Sequence, residues 1–174
     1  MRVVWLLALA LSCAACFEIG GKRASGGKGD AGVGGEGGGA EEHPRVPYEA
    51  DALTAYLAEG QYAGFVHQRN PHPSAGPHGL LRVFFSDSLA TSLAAGWPEH
   101  PAGAAAVVEL FAADGATLIG WDVSVKIASD SEAGLGWYWY ELIGPSGVAG
   151  EGPNYCSACH AGGLDFVYSS LPFE

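Results

Sequence analysis

The sequence predicts an α+β fold: a mainly antiparallel β-sheet with a few short helices packed at its side. Three observations predict it. Short apolar or aromatic runs recur with turn residues between them, as they do in antiparallel sheets. Residues 119–127 alternate, with Trp121, Val123, Val125 and Ile127 pointing one way and Asp122, Ser124 and Lys126 the other, which is the period of a half-buried strand. Trp137, Tyr138, Trp139 and Tyr140 form a run that is aromatic on both faces. Such a run suits a strand covered on both sides, either by ordinary sandwich packing or by something large and flat.

The first part of the chain reads as export and tether. Met1 and Arg2 give a positive start, residues 3–11 are unbroken apolar sequence, and small residues lead to Cys16. These are the parts of a secretory signal, and the apolar run is too short to span a bilayer. Ala14 and Ala15 directly precede Cys16, as lipoprotein processing requires, although Cys13 stands where Leu, Val or Ile is usual. Residues 1–16 are therefore expected to be a signal with lipidation at Cys16. Simple soluble export is the alternative. Residues 17–44 are dominated by glycine and bury too little to offset their ordering entropy, so they are expected to form a flexible linker.

Residues 45–174 remain for one compact domain. Pro47 is expected to open a helix on which Leu53, Tyr56 and Leu57 share a face, with Gly60 as its stop. The stretch 67–79, crowded with Pro, His, Gly and Asn, reads as a long loop. Residues 81–85 suit a strand. Ser86 or Asp87 then caps a short helix that ends at Gly96. Residues 104–112 form the next strand, with turn residues Ala113, Asp114 and Gly115 after it.

The formal charge is −11, and beyond the linker only Arg45, Arg69, Arg82 and Lys126 are basic. No basic patch is available for phosphates, which argues against a nucleic-acid partner. An acidic surface also repels anionic lipid heads, leaving the lipid anchor as the one expected membrane contact. It suits a basic redox partner, although solubility alone explains it.

Cysteine placement carries the chemistry. Cys13 and Cys16 belong to the signal region, so only Cys156 and Cys159 remain in the domain. With His160 they make the Cys-x-x-Cys-His arrangement of covalent haem attachment. Two thiols must add to neighbouring vinyl groups of one porphyrin, and the histidine must reach the iron from the same turn. Helical positions i, i+3 and i+4 share a face and meet that need. Asn154 is the expected cap, and Gly162 and Gly163 end the turn. A structural disulfide, a thioredoxin-like pair and a zinc site compete with this reading. The disulfide needs no His160, the redox pair usually sits early in the chain after a strand, and zinc wants further ligands.

The other axial position of the iron decides function. The only methionine is Met1, so methionine ligation is excluded in the processed chain. His67, His72, His78 and His100 remain, in Pro/Gly-rich loops where exposure is the ordinary state. An open sixth position is expected, with bis-histidine ligation as the alternative.

Over roughly 76–173 the chain resembles the cytochrome P-460 family. The resemblance is carried by Cys156-Ser157-Ala158-Cys159-His160 followed by Asp165-Phe166-Val167-Tyr168. It is also carried by Leu81 to Phe85, by Val107-Val108-Glu109-Leu110, and by Ser124-Val125-Lys126 with Trp137 to Tyr140. The resemblance implies a mainly β fold and one covalent haem c with His160 as proximal ligand. In the founding branch a lysine bonds to the porphyrin edge and the protein oxidises hydroxylamine. The matching position here is Val108, which cannot form that bond. The chain is more similar to the cytochrome c-prime-beta branch, which lacks the link and binds nitric oxide or carbon monoxide.

The expected function is an exported mono-haem cytochrome, on the periplasmic face of a membrane or free in the periplasm. Cys156 and Cys159 are its anchors, His160 is its metal ligand, and Val108 walls the distal side. Its expected partners are a small diatomic or nitrogen-oxide ligand, a redox protein and, in one reading, a second copy of itself. The alternatives are an oxidoreductase acting on hydroxylamine, nitric oxide or peroxide, with Glu109 or Arg82 as its polar group, and a six-coordinate electron carrier. Lys126 is expected on a solvated face. Asp165 is expected at the surface, as a cap, or as an acceptor for His160.

Overall fold

The computed structural model of the chain describes residues 43–129, 131–152 and 155–173, all within one unit over Gly39–Glu174. The predicted signal, Cys16 and most of the linker lie outside the described residues, as does Asn154. No helix among the described residues is long and apolar enough to cross a membrane.

Among the described residues seven strands form one antiparallel sheet, with three short α-helices. The helix α1 (Ala50–Ala58) starts later than Pro47 suggests. Glu49 is extended, and its carbonyl accepts the first helical bond, from Leu53 N–H at 2.8 Å. Leu53, Tyr56 and Leu57 are buried, as their spacing predicts. The predicted loop after it contains two two-residue strands, β1 (Val66–His67) and β2 (His72–Pro73). Both pair along one edge of β3 (Leu80–Phe85). Their shortness, and a proline that lacks an amide N–H, hides them from pattern reading.

The remainder is a meander. Helix α2 (Asp87–Ala94) follows β3, and Ser86 caps it by accepting Leu89 N–H. The same Ser86 oxygen accepts Ala105 N–H at 2.9 Å, which ties the cap to β4 (Ala105–Phe111). Then come β5 (Leu118–Lys126), β6 (Trp137–Ile143) and β7 (Ser146–Glu151), in spatial order β3-β4-β5-β6-β7. Strand β7 has no counterpart in the sequence reading. Its residues Ser-Gly-Val-Ala-Gly-Glu are exposed or half-buried, so it pairs through backbone bonds and leaves no apolar alternation to detect.

Alternate residues build two unlike faces. Phe84, Val107, Val123, Val125, Tyr138 and Tyr140 pack with Leu53, Tyr56 and Leu57 in one core. Phe85, Ala106, Leu110, Trp137 and Trp139 face the other way, toward Leu89 of α2 and Val167. Trp137 to Tyr140 are thus covered on both faces, as their composition predicts.

Candidate functional site

The carboxyl-terminal motif folds as a short helix, α3 (Tyr155–His160), after which the chain turns sharply. Cys156, Cys159 and His160 all line one cavity of about 630 Å³, within the size range of small-molecule and cofactor pockets, about 300–1,000 Å³. Both cysteines are free thiols, Cys156 half-buried and Cys159 exposed. Burial pushes the Cys156 thiol up from its ordinary pKa. The turn Glu132–Gly134 packs on the helix so closely that a Cβ at Gly134 would lie 2.7 Å from Ser157 Cβ.

His160 is oriented by its own loop. Its Nδ1 lies 2.9 Å from the Phe166 carbonyl oxygen. A carbonyl only accepts, so Nδ1 carries the proton of the neutral ring and Nε2 keeps a lone pair. Burial pushes the His160 pKa below its ordinary value, which favours that neutral form. Trp139 and Tyr168 flank the ring, with centroids 5.1 and 5.6 Å away.

The Phe166 carbonyl is held there by a turn that sequence reading does not foresee. Asp165 and Phe166 have φ of +43° and +69°, and Val167 N–H donates to Leu164 O at 2.9 Å. Two successive left-handed residues without a glycine are strained. A second set of contacts fixes them. The Asp165 carboxylate accepts His100 N–H at 2.7 Å, Lys126 Nζ at 3.0 Å and Trp137 Nε1–H at 3.3 Å. The Lys126 and Asp165 side chains are 0% and 2% exposed, and Lys126 also donates to Ser131 Oγ.

Burial alone pushes the Asp165 pKa up, but the Ser131, His100 and Lys126 contacts outweigh it and hold the carboxyl below its ordinary value. Lys126 is therefore no solvated face residue. The loop after α3 brings Asp165 over that side of β5, and the two side chains pair there. Asp165 likewise is neither a surface residue nor a direct acceptor for His160. It anchors the turn whose next carbonyl is that acceptor.

Cross-strand register maps the cavity wall. One row runs Val83, Val108, Asp122, Glu141, and the next runs Phe85, Ala106, Ser124, Trp139. The β3 and β4 half is apolar, while the β5 and β6 half is acidic and polar. Val108 lines the cavity. Its cross-strand neighbour Asp122 meets His78 from the loop before β3, with Nδ1 to Oδ2 at 2.6 Å. This hydrogen-bonded contact raises the His78 pKa, against the opposing effect of burial. Ligand atoms of His78, Asp122 and Glu141 all lie within 4.8 Å of one another. Asp122 Oδ1 and Trp139 Nε1 are buried without a hydrogen-bond partner among the described residues.

Other candidates fall elsewhere. Glu109 accepts from Tyr62 Oη and Arg82 Nε, both at 2.8 Å. Both Glu109 and Arg82 alternate with Val108 and Val83 and so face away from the cavity, toward the α1 core. This corrects their expected place near an iron: alternation along each strand sends neighbours to opposite faces. His67 stacks on Phe84, 4.8 Å away, on that same far face. His100, expected exposed, is 2% exposed and bonded to Ser92 Oγ at 2.7 Å. Burial pushes its pKa down.

No family model matches the chain, and no curated protein matches it. The site's reading rests on its residues. Among the described residues, the only set of three or more His, Cys, Asp or Glu close enough to share one ion omits both cysteines. That disfavours a zinc site on Cys156 and Cys159. A covalently held haem fits what is present: two unpaired thiols three residues apart, a half-buried imidazole with Nε2 free, and an adjoining cavity with an apolar wall.

Proposed function

We propose that this protein is a mono-haem c-type cytochrome whose iron takes a small neutral ligand such as nitric oxide. The observation that carries the proposal is the convergence of Cys156, Cys159 and His160 on one cavity, with His160 turned by the Phe166 carbonyl so that Nε2 stays free. Cys156 and Cys159 would hold the porphyrin by thioether bonds, and His160 would ligate the iron. When bound, the haem supplies an iron that combines with diatomic ligands.

The chain's own residues define the rest. Val83, Phe85, Ala106 and Val108 exclude water from one half of the cavity and favour uncharged ligands. The Lys126–Asp165 pair holds the turn that orients His160. A carbonyl that accepts the other ring proton of a ligating histidine, as Phe166 does for His160, raises its basicity.

The test is production in a host with a working cytochrome c maturation system. The expected product is coloured and carries the added mass of one covalent tetrapyrrole. A Cys156→Ala, Cys159→Ala variant is expected to lose both. A colourless wild-type protein of unaltered mass overturns the proposal.

A second reading, an oxidoreductase acting on hydroxylamine, nitric oxide or peroxide, is favoured by one observation. Asp122 and Glu141 bring carboxylates into the cavity beside the apolar wall, and positioned carboxylates serve as proton acceptors. Against it stands Val108, which cannot form the lysine link of the family's hydroxylamine-oxidising founding branch. Turnover of hydroxylamine that falls at least about tenfold in Asp122→Asn, a typical scale for a general base, would support this reading. Export with lipidation at Cys16 belongs to the same proposal, and Cys16→Ser is expected to release the protein from membranes.

A further inference from the structure

We infer that His78 is a second axial ligand of the haem iron, held for that role by Asp122 and displaced when an exogenous ligand arrives. The inference rests on the haem reading above and adds a resting state to it.

His78 and His160 line the same cavity, with ring centroids 6.3 Å apart and ring planes at 73°. Two imidazoles that bind one ion from opposite sides, with metal–nitrogen bonds of about 2.0–2.1 Å, bring their ring centroids to about 6–6.5 Å. The observed spacing meets that requirement.

The two rings are also prepared alike. Each has Nδ1 against an oxygen: the Phe166 carbonyl for His160 and the Asp122 carboxylate for His78, at 2.9 and 2.6 Å. The Phe166 carbonyl accepts the Nδ1 proton of His160 and the Asp122 carboxylate is the ion-pair partner of His78 Nδ1, so Nε2 is the atom of each ring left to bind. Metal-binding histidines are ordinarily held by such a partner, a carboxylate or a backbone carbonyl.

Neither His67 nor His100 lines the cavity, being taken up by Phe84 and Ser92. His72 does line it, but it is exposed and its Nδ1 contacts the Pro73 carbonyl beside it. No charged partner holds that ring as Asp122 holds His78.

The placement of His78 explains how it would leave. It sits in a loop closed on itself at the sheet edge, by Ser74 N–H to Gly79 O at 2.7 Å and Gly76 N–H to Ser74 Oγ at 2.9 Å. Gly79, at φ +71°, supplies the bend that turns the chain into β3. Moving His78 away therefore disturbs a short exposed loop and not the sheet. His78 and Val108 both neighbour Asp122, His78 by contact and Val108 by strand pairing. A departing imidazole would uncover the apolar wall that favours a neutral diatomic.

The test uses the full-length matured protein and optical and electron paramagnetic resonance spectra. Wild type is expected to be low-spin in both the ferric and ferrous states, with a carbon monoxide association rate that saturates as its concentration rises. His78→Ala, a substitution at a partly exposed position, is expected to become high-spin. It is also expected to bind carbon monoxide about ten- to a hundredfold more tightly, the factor by which a resting state ~90–99% closed lowers apparent affinity. Added imidazole should return the variant to low spin, and Asp122→Asn should give a spin mixture at unchanged haem content. A high-spin wild type whose spectrum His78→Ala leaves unaltered overturns the inference and leaves the haem reading standing. A wild type without covalent haem overturns both.

Discussion

The two faces of the sheet are made by alternate residues of the same strands, yet they have opposite physical character. The face under α1 is closed. Val107, Val123 and Val125 meet Leu53, Tyr56 and Leu57, and the charged pair Arg82 and Glu109 on that face is engaged. Glu109 accepts from both Tyr62 and Arg82, and the Tyr62 oxygen accepts Trp121 Nε1–H at 2.9 Å. The other face holds a cavity of about 630 Å³, with Asp122 Oδ1 and Trp139 Nε1 lacking partners. Buried polar atoms in native proteins are nearly always satisfied; His100 Nε2, away from the cavity, also lacks a partner, so the unpartnered atoms at the cavity are consistent with the proposed ligand site. The closed face supplies the rigidity, and the open face spends part of it on a site.

The largest expected effect breaks the anchor that joins α3 to the sheet. Lys126→Met leaves Asp165 buried beside no cation, and losing one member of a buried pair costs about 3–5 kcal/mol. Urea unfolding of the haem-free protein measures it. Lys126→Met combined with Asp165→Leu should recover part of the loss, because no charge is then stranded. A single variant as stable as wild type would show that the pair is not what holds the turn. Next in size, Leu53→Ala on the closed face is expected to cost about 2–5 kcal/mol while leaving the proposed haem attachment intact, since Leu53 does not line the cavity.

Much of the sheet was legible because apolar alternation survives in β3, β4 and β5, and because Cys156, Cys159 and His160 stand in one short motif. What failed has a common cause: side chains whose burial depends on distant partners. Lys126, His100 and Asp165 look like surface residues one at a time, and they are buried because each satisfies another. Their signal in the sequence was slight, because Lys126 only closes the polar row Asp122, Ser124, Lys126 of β5. Asp122 was read as pointing away from the apolar face, because strand period gives direction but does not tell what covers it. Glu109 was misplaced by proximity to Val108 in sequence, where one step along a strand reverses the face. Strand β7 left no apolar trace.

Acidity tests the open face as a whole. Burial holds the His100 and His160 pKa values below about 6.5, the unfolded value. Between the folded and unfolded values the unfolded chain binds more protons, so their contribution to stability is present above about 6.5 and is lost as pH falls toward the folded pKa. His78 acts oppositely, because Asp122 raises its pKa. Its contribution is present below about 6.5 and is lost as pH rises through the raised value. With two groups against one, the melting temperature of the haem-free protein is expected to fall from pH 7 to pH 5. His100→Asn should flatten that slope. A slope of the other sign would mean that His78 dominates.

The smallest expected effect makes the sharpest comparison, because it uses two neighbouring valines of one strand. Val107 is fully buried under α1, while Val108 is half-buried against the cavity. Val107→Ala removes atoms from a filled core and is expected to cost about 2 kcal/mol, from lost burial and the hole left behind. Val108→Ala enlarges a hole that already exists, so it is expected to cost about 0.5 kcal/mol or less in the haem-free protein. Equal losses from the two substitutions in urea unfolding would mean that both faces are packed to the same density, and the apolar wall would then have no room for a ligand.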